Sequence, residues 1–513
     1  MIRSLLTVST GTLASRLLGF VRDSMIAALL GTGAIADAFL VAFQLVNVAR
    51  RLLSEGALNA ALVPAWLRLR QADEGAAAAF AGRVLGTVSA ALLAVALLAG
   101  LLMPAIITAL APGFAGRETL QFAVTEARLM LPYVAFAGPA TVLLALASAQ
   151  SRFVLTAFSP LLFNIALIAV MIALIVTRQD AGIVAPALAT TVGIAGFLQV
   201  SILALRRGER VATPLRVSFD KDMRGFLARA VPGMIASSAP QLLMVAGAII
   251  ASSSPSAVSW LYFANRLIEL PLGIVGVAMG TVLIPELTRA LHGGDRRIIE
   301  GAQSRALELA AGLALPATAG LIALSEPIVR LLFEHGAFTA ADTRSTAQAL
   351  IWLALGLPAH VLVKALSPAF FAREDTIAPL LATLKGIVVA VVFAVLLGHF
   401  LGADGIAAGI AIGAWSNAAS LIRHGHATFG FSLDDAARRR LPRILVAALF
   451  MGGLLWLAAG HLIGDRPHTL ILAVVLIGLI AAAMALYGLL LAALGVATWR
   501  DPVNAIRSRD LRR

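Results

Sequence analysis

Apolar runs of helix length, separated by short polar breaks, recur along the whole chain. They fall at about 5–30, 34–66, 79–110, 122–150, 156–177, 182–205, 224–252, 256–290, 299–333, 343–371, 376–400, 404–425, 441–463 and 468–497. A bilayer-spanning helix needs about 20 largely apolar residues. The pattern therefore predicts an all-α polytopic membrane protein with fourteen transmembrane helices, the longest of them tilting, kinking or projecting past the bilayer. Charges interrupt the first two segments and lower their hydropathy.

A second periodicity overlies the first. Ala61-Leu62-Val63-Pro64 returns as Val282-Leu283-Ile284-Pro285, Arg152 as Arg373, Pro160-Leu161-Leu162 as Pro379-Leu380-Leu381, and Ala14-Ser15 as Ala236-Ser237. Each pair is weak alone, but together they hold one order at an offset near 220 residues. The expected organisation is an N-lobe of six helices (1–205), a basic inter-lobe loop (206–223), a C-lobe of six (224–425), a second basic loop (426–440), helices 13 and 14 (441–497) and a basic tail (498–513). An even number of spans gives both lobes the same orientation, a parallel pseudo-two-fold repeat about an axis along the membrane normal.

Composition sharpens this reading. The 513 residues are 60% hydrophobic and 13% charged, with a mean hydropathy of +0.93, against about 25% charged in an ordinary soluble domain. The net charge of +13 raises nucleic-acid binding as one explanation and basic loops on one membrane face as another. With the N-terminus placed inside, the inside loops hold Arg3, Arg68, Arg70, Arg152, the 206–224 group, Arg289, Arg296, Arg297, Arg373, the 438–443 group and the C-terminal arginines; the outside loops hold Arg117, Arg178, Arg330 and Arg466. Positive charge marks the cytoplasmic side, so no nucleic acid is needed and both termini are expected in the cytoplasm. The basic loops can meet anionic headgroups, although topology alone accounts for them. Arg16 and Arg22 interrupt any signal-peptide core, so the first segment is expected to be retained.

Candidate chemistry concentrates between Ser15 and Trp66, where four arginines (Arg16, Arg22, Arg50, Arg51) and three carboxylates (Asp23, Asp37, Glu55) sit among apolar residues. A charged side chain at mid-membrane costs roughly 2.5–3.5 kcal/mol and survives where it faces a bundle interior or a wet cavity. Gln44, Asn47, Arg51, Glu55 and Asn59 step by three or four along one helix face, with Arg50 beside them. On the eighth segment Ser259, Tyr262, Arg266 and Glu269 do the same, so the two stripes are expected to face each other between the lobes. The bland alternative is that Arg51–Glu55 and Arg266–Glu269 pair and lock helices. Arg16, Arg22 and Arg50 exceed what Asp23 and Asp37 can offset, and a surplus of guanidinium suits an anionic cargo with phosphate oxygens. Lys364, Lys385 and His360 weigh less, as snorkelling side chains; Asn164 and Asn417 suit helix–helix hydrogen bonds.

Catalysis finds little support. There is no P-loop, no H-E-x-x-H and no Asp-rich diphosphate–metal motif, and without cysteine there is no thiol chemistry. No metal, no cofactor and no enzyme activity are expected, so energy must come from a monovalent-ion gradient, the membrane potential or a downstream sink.

The ordered set Ser15-Arg16-Leu17-Leu18-Gly19-Phe20-Val21-Arg22-Asp23, Asp37-Ala38-Phe39, Asn47-Val48-Ala49-Arg50-Arg51 with Glu55-Gly56-Ala57, Ala111-Pro112-Gly113-Phe114, Phe158-Ser159-Pro160 with Asn164, Trp260-Leu261-Tyr262-Phe263-Ala264-Asn265-Arg266-Leu267 and Phe370-Phe371-Ala372-Arg373-Glu374-Asp375-Thr376 resembles the MurJ (MviN) family of lipid II flippases, in the multidrug/oligosaccharidyl-lipid/polysaccharide exporter superfamily. The resemblance spans essentially the whole chain. It implies a V of two lobes around a cationic cavity, a groove with helices 13 and 14 for a polyprenyl tail, and transfer of lipid II, the undecaprenyl-diphosphate-linked peptidoglycan precursor, across the cell inner membrane by a monomer. It places the family's cavity arginines on Arg16, Arg22, Arg50 and Arg266 and its acidic position on Asp37, with Asp23, Asn47, Arg51, Glu55, Asn265 and Glu269 as polar support. The chain departs from the family pattern at Asn265, where Asp is common, and at His335. The rival readings are an exporter of another polyprenyl-linked glycan or anionic amphiphile, and a membrane enzyme acting on polyprenyl diphosphate.

Overall fold

The structure, a computed structural model, describes residues 2–54, 57–150, 153–205, 212–220, 223–228, 230, 239–279, 289–290, 295–371, 373, 375, 377–463 and 469–496. These form helices α1 (Ile2–Leu30), α2 (Ala34–Ser54), α3 (Ala57–Ala72), α4 (Glu74–Leu110), α5 (Glu118–Ala149), α6 (Phe153–Val176), α7 (Ala181–Leu205), α8 (Ala239–Ala251), α9 (Ala257–Ala278), α10 (Arg296–Ala323), α11 (Ser325–Phe333), α12 (Ala340–Phe371), α13 (Ile377–Leu401), α14 (Ala403–Phe429), α15 (Asp435–Leu462) and α16 (Thr469–Ala493). Among the described residues there is no strand.

Helix ends follow from local chemistry. The side chains of Asp73, Asp295 and Asp434 accept backbone N–H groups at the starts of α4, α10 and α15, satisfying donors that a helix start leaves open. Gly430 ends α14 in the left-handed conformation. Prolines lie inside α5 and α12, as spanning helices tolerate.

Nine helices among the described residues, α4, α5, α7, α10 and α12 to α16, are long and apolar enough to cross a bilayer. The count of fourteen stays an expectation. α1 and α2 are not among the nine, in keeping with the charges that weaken the first two segments. The second segment divides into α2 and α3, and the ninth into α10 and α11 with a break at Leu324.

The chain divides into two compact units, 1–259 with 335–339, and 260–334 with 340–513. In the first, α5 packs against α2, α4 and α7, and Phe39, Phe43, Tyr133 and Phe163 form a chain of rings 5.3–6.3 Å apart. A second cluster joins Leu62, Trp66, Phe80, Val84, Met223 and Phe226. In the second unit, α14 packs against α12 and α13; α15 and α16 bury Met451, Leu455, Leu476 and Tyr487, and the Tyr487 hydroxyl donates to the Gly312 carbonyl at 3.0 Å. Large apolar side chains on the outer faces, among them Leu101, Phe400 and Leu470 at 77–78% exposure, would be an interaction surface in water; on a spanning protein they are the lipid-facing surface.

A strap crosses α4 within the first unit. Residues 212–220 run without helix along it: Thr213 N–H donates to the Ala78 carbonyl at 3.1 Å, and the Thr87 hydroxyl donates to the Ser218 carbonyl and accepts from its N–H. Arg83 pairs with Asp220 at 2.8 Å. Gly82 and Gly86 make the approach feasible, because a Cβ at either would lie 2.3 and 2.6 Å from the carbonyls of Pro214 and Arg216. The Met223 N–H above all, with Ser218 and Arg83, holds the Asp220 carboxyl below its ordinary range.

Candidate functional site

Arg22, on α1, is 6% exposed and Asp23 is fully buried. The Arg22 Nε and Nη2 donate to one Asp23 oxygen at 2.9 and 2.7 Å, and Nη1 donates to the Asn164 side-chain oxygen on α6 at 3.0 Å. Asn164 in turn donates to the Ser15 carbonyl at 3.2 Å, tying two turns of α1 to α6. The guanidinium lies 4.9 Å from the Phe43 ring and 5.7 Å from the Phe163 ring, within cation–π range. Arg50, on α2, approaches the same Phe163 ring at 6.0 Å and donates to Asn47 at 3.4 Å. The first unit thus brings Arg22 and Arg50 to one aromatic ring, with Asp23 and Asn164 hydrogen-bonded to the first and Asn47 to the second. Arg16 is exposed on α1, and Arg51 is half-buried on α2. Glu55 lies outside the described residues, and the Arg51–Glu55 pairing with it.

Asp37, which the sequence offered as a charge to offset the arginines, binds backbone amides and a hydroxyl. It is 3% exposed. One oxygen accepts from the Ser256 N–H at 3.0 Å, and the other accepts from the Ser259 N–H at 2.9 Å and from the Ser259 hydroxyl. The carboxylate therefore caps the start of α9 from another helix, meeting the positive end of the helix dipole. Ser256 is held in the left-handed region at φ +60°. Spacing along α2 could not reveal this, because the partner is a helix start more than 200 residues away.

In the second unit Arg266 donates to Glu269 at 2.7 Å, both half-buried, as their i,i+3 spacing suggested; Asn265 is half-buried. Asn417 donates weakly to Thr383 at 3.4 Å, a helix–helix contact of the expected kind. An apolar groove of about 480 Å³ is lined from α10, α12, α14 and α15, with Trp352 and Trp415 among its walls; α16 does not line it. Among the described residues no group of three His, Asp or Glu side chains is arranged to hold a metal.

Sequence reading passed over two charged residues of α5. Glu126 is 2% exposed, and its Oε2 has no hydrogen-bond partner among the described residues. Arg128 is exposed, with its Nε donating to the Gly100 carbonyl at 3.0 Å. Their signal was present: two charges in a segment otherwise apolar enough to span.

The arginine–carboxylate core on α1 and α2 is embedded in a polytopic helical protein, and comparison with known proteins assigns its lineage. A family model described as "Lipid II flippase MurJ" matches residues 26–464. The chain belongs to the lipid II flippase MurJ family. A relative from Rhizobium meliloti (strain 1021), described as "Probable lipid II flippase MurJ", is 38% identical over 501 residues, covering 95% of this chain and 92% of that one. A "Lipid II flippase MurJ" from Burkholderia cenocepacia is 31% identical, covering 89% and 90%. Solved structures share the fold: "Lipid II flippase MurJ, inward closed conformation" at TM-score 0.78 and 22% identity, covering 99% of this chain and 100% of that one, and an inward-facing multidrug resistance MATE family transporter of the MOP superfamily at 0.67 and 18%, covering 84% and 95%. This MurJ family is one of flippases rather than catalysts, and it places a multi-span helical protein of this kind in the inner membrane.

Proposed function

We propose that this protein is a lipid II flippase that moves the undecaprenyl-diphosphate-linked peptidoglycan precursor from the cytoplasmic to the periplasmic leaflet by alternating access, without chemical conversion of the cargo. Arg16, Arg22, Arg50 and Arg266 hold the diphosphate; Asp23, Asp37, Asn47, Arg51, Glu55, Asn265 and Glu269 orient them or balance their charge. Both termini are cytoplasmic, and the working form is a monomer driven by an ion gradient, the membrane potential or downstream consumption.

The observation that carries the reading is the Arg22–Asp23–Asn164 network with Arg50 across the Phe163 ring, in a chain of this family. Carboxylates neutralise Arg22 and Arg266 while cargo is absent, which limits the cost of charge at membrane depth. An incoming diphosphate offers bidentate oxygens that compete for the guanidinium forks. Asp37 has a mechanical part: its cap on α9 must break if α2 and α9 separate during the cycle.

Depletion of the protein in its host tests the assignment. Accumulation of lipid II with its headgroup on the cytoplasmic side, cured by wild-type protein, supports it. Normal lipid II sidedness after depletion would redirect the reading to another polyprenyl-linked cargo, and conversion of lipid II by the purified protein would make it an enzyme.

A further inference from the structure

The first unit has a second feature that the arginine core does not use. A groove of about 1270 Å³ lies between α4, α5 and α7, lined at one end by Ala212 and Leu215 of the strap. Its walls are apolar, including Leu93, Leu97, Leu131 and Phe136, with Arg128 among them.

Arg128 lies near mid-depth. Gly100, whose carbonyl accepts from Arg128, lies ten residues, about 15 Å at 1.5 Å per residue, from the end of α4 at Leu110, half of the ~30 Å hydrocarbon thickness. α7 agrees: Gly193, the centre of Ala181–Leu205, lies against Leu129, where a Cβ would come within 2.4 Å of the carbonyl. An exposed guanidinium at that depth must be solvated by something. The Gly100 carbonyl takes Nε, leaving Nη1 and Nη2 with no hydrogen-bond partner among the described residues. From Gly100 to Leu85, at the strap end, α4 offers about 22 Å of apolar wall.

We propose that this groove binds an anionic phospholipid, its phosphate drawn inward to the Arg128 fork and one acyl chain lying along α4 and α5 toward the strap. Phosphate matches what the site lacks, a negative charge with paired acceptor oxygens. Local thinning and snorkelling bring phosphate and guanidinium together. The site belongs to membrane lipid, and none of Arg22, Asp23, Asn47, Arg50 and Asn164 lines the groove.

The test uses full-length protein in nanodiscs of uncharged-headgroup lipid doped with phosphatidylglycerol carrying a photoreactive acyl chain, with adducts mapped by peptide mass spectrometry. Wild-type protein is expected to be labelled within 93–101 and 131–139. Arg128→Gln should lose about tenfold, the loss of one charge-assisted phosphate contact; Arg128→Lys should retain most of the labelling and Arg117→Gln all of it. Ala135→Phe, which fills the groove and leaves Arg128 intact, should also lose labelling. Equal labelling of Arg128→Gln and wild type, or equal labelling by a photoreactive diacylglycerol lacking phosphate, overturns the proposal. Displacement of the probe by equimolar lipid II would reassign the groove to the cargo and overturn it as well.

Discussion

Replacing Arg22 with Met separates a locking role from a cargo role. Arg22→Met removes two hydrogen bonds to Asp23 and one to Asn164, together with two ring contacts, and leaves a fully buried carboxylate without its guanidinium. Removing one partner of a buried pair costs about 3–5 kcal/mol. Adding Asp23→Leu removes the remaining carboxylate, and apolar replacement of a whole buried pair is often near neutral, so the double variant should recover most of the loss. Unfolding of the purified protein in detergent, read by Tm, gives the stability series; vesicles loaded with lipid II give transport. The expected pattern is a destabilised single variant and a stable double variant that does not move lipid II. A single variant as stable as wild type would refute the buried-pair reasoning. A stable double variant with normal transport would make Arg22 a lock and nothing more.

Other consequences follow from the same contacts. Gly82→Val places side-chain carbon against the Pro214 carbonyl and should release the strap; since the chain has no cysteine, Phe219→Cys can report this as altered labelling by an aqueous maleimide, and unchanged labelling would count against docking. Asp37→Ala should cost about 1–2 kcal/mol, the value of a helix cap, whereas Ser256→Gly, relieving φ +60°, should add about 0.5–1 kcal/mol; both read as shifts in Tm. Because the Asp220 carboxyl is held below its ordinary value of 3.8, its pin on the strap is present above that value and lost only as pH falls through the lower folded value. Protection factors over 212–220, that is, hydrogen-exchange rates divided by the intrinsic rate at each pH, should therefore stay flat from pH 7 to pH 5.

The sequence made helices visible wherever an apolar run was long, because burial in lipid demands that run. It also marked Arg22, Arg50 and Arg266 by their cost in such surroundings, and Arg266–Glu269 by spacing alone. What it concealed depends on tertiary contact. Asp37 reads as one more polar position on α2, yet its partners are amides at the start of α9. The strap rests on backbone meeting backbone at Gly82 and Gly86, which side-chain pattern does not encode. Arg128 hid in plain view, since a long apolar segment absorbs one charge without losing its hydropathic identity.

The most direct measurement is lipid II sidedness in reconstituted vesicles, scored by an impermeant headgroup probe, for wild type and for Arg16→Ala, Arg50→Ala and Arg266→Ala proteins inserted at equal levels. Wild type should expose headgroups on the far face over time and each variant should lose most of that signal. Three variants that transport at the wild-type rate would contradict a diphosphate held by these arginines.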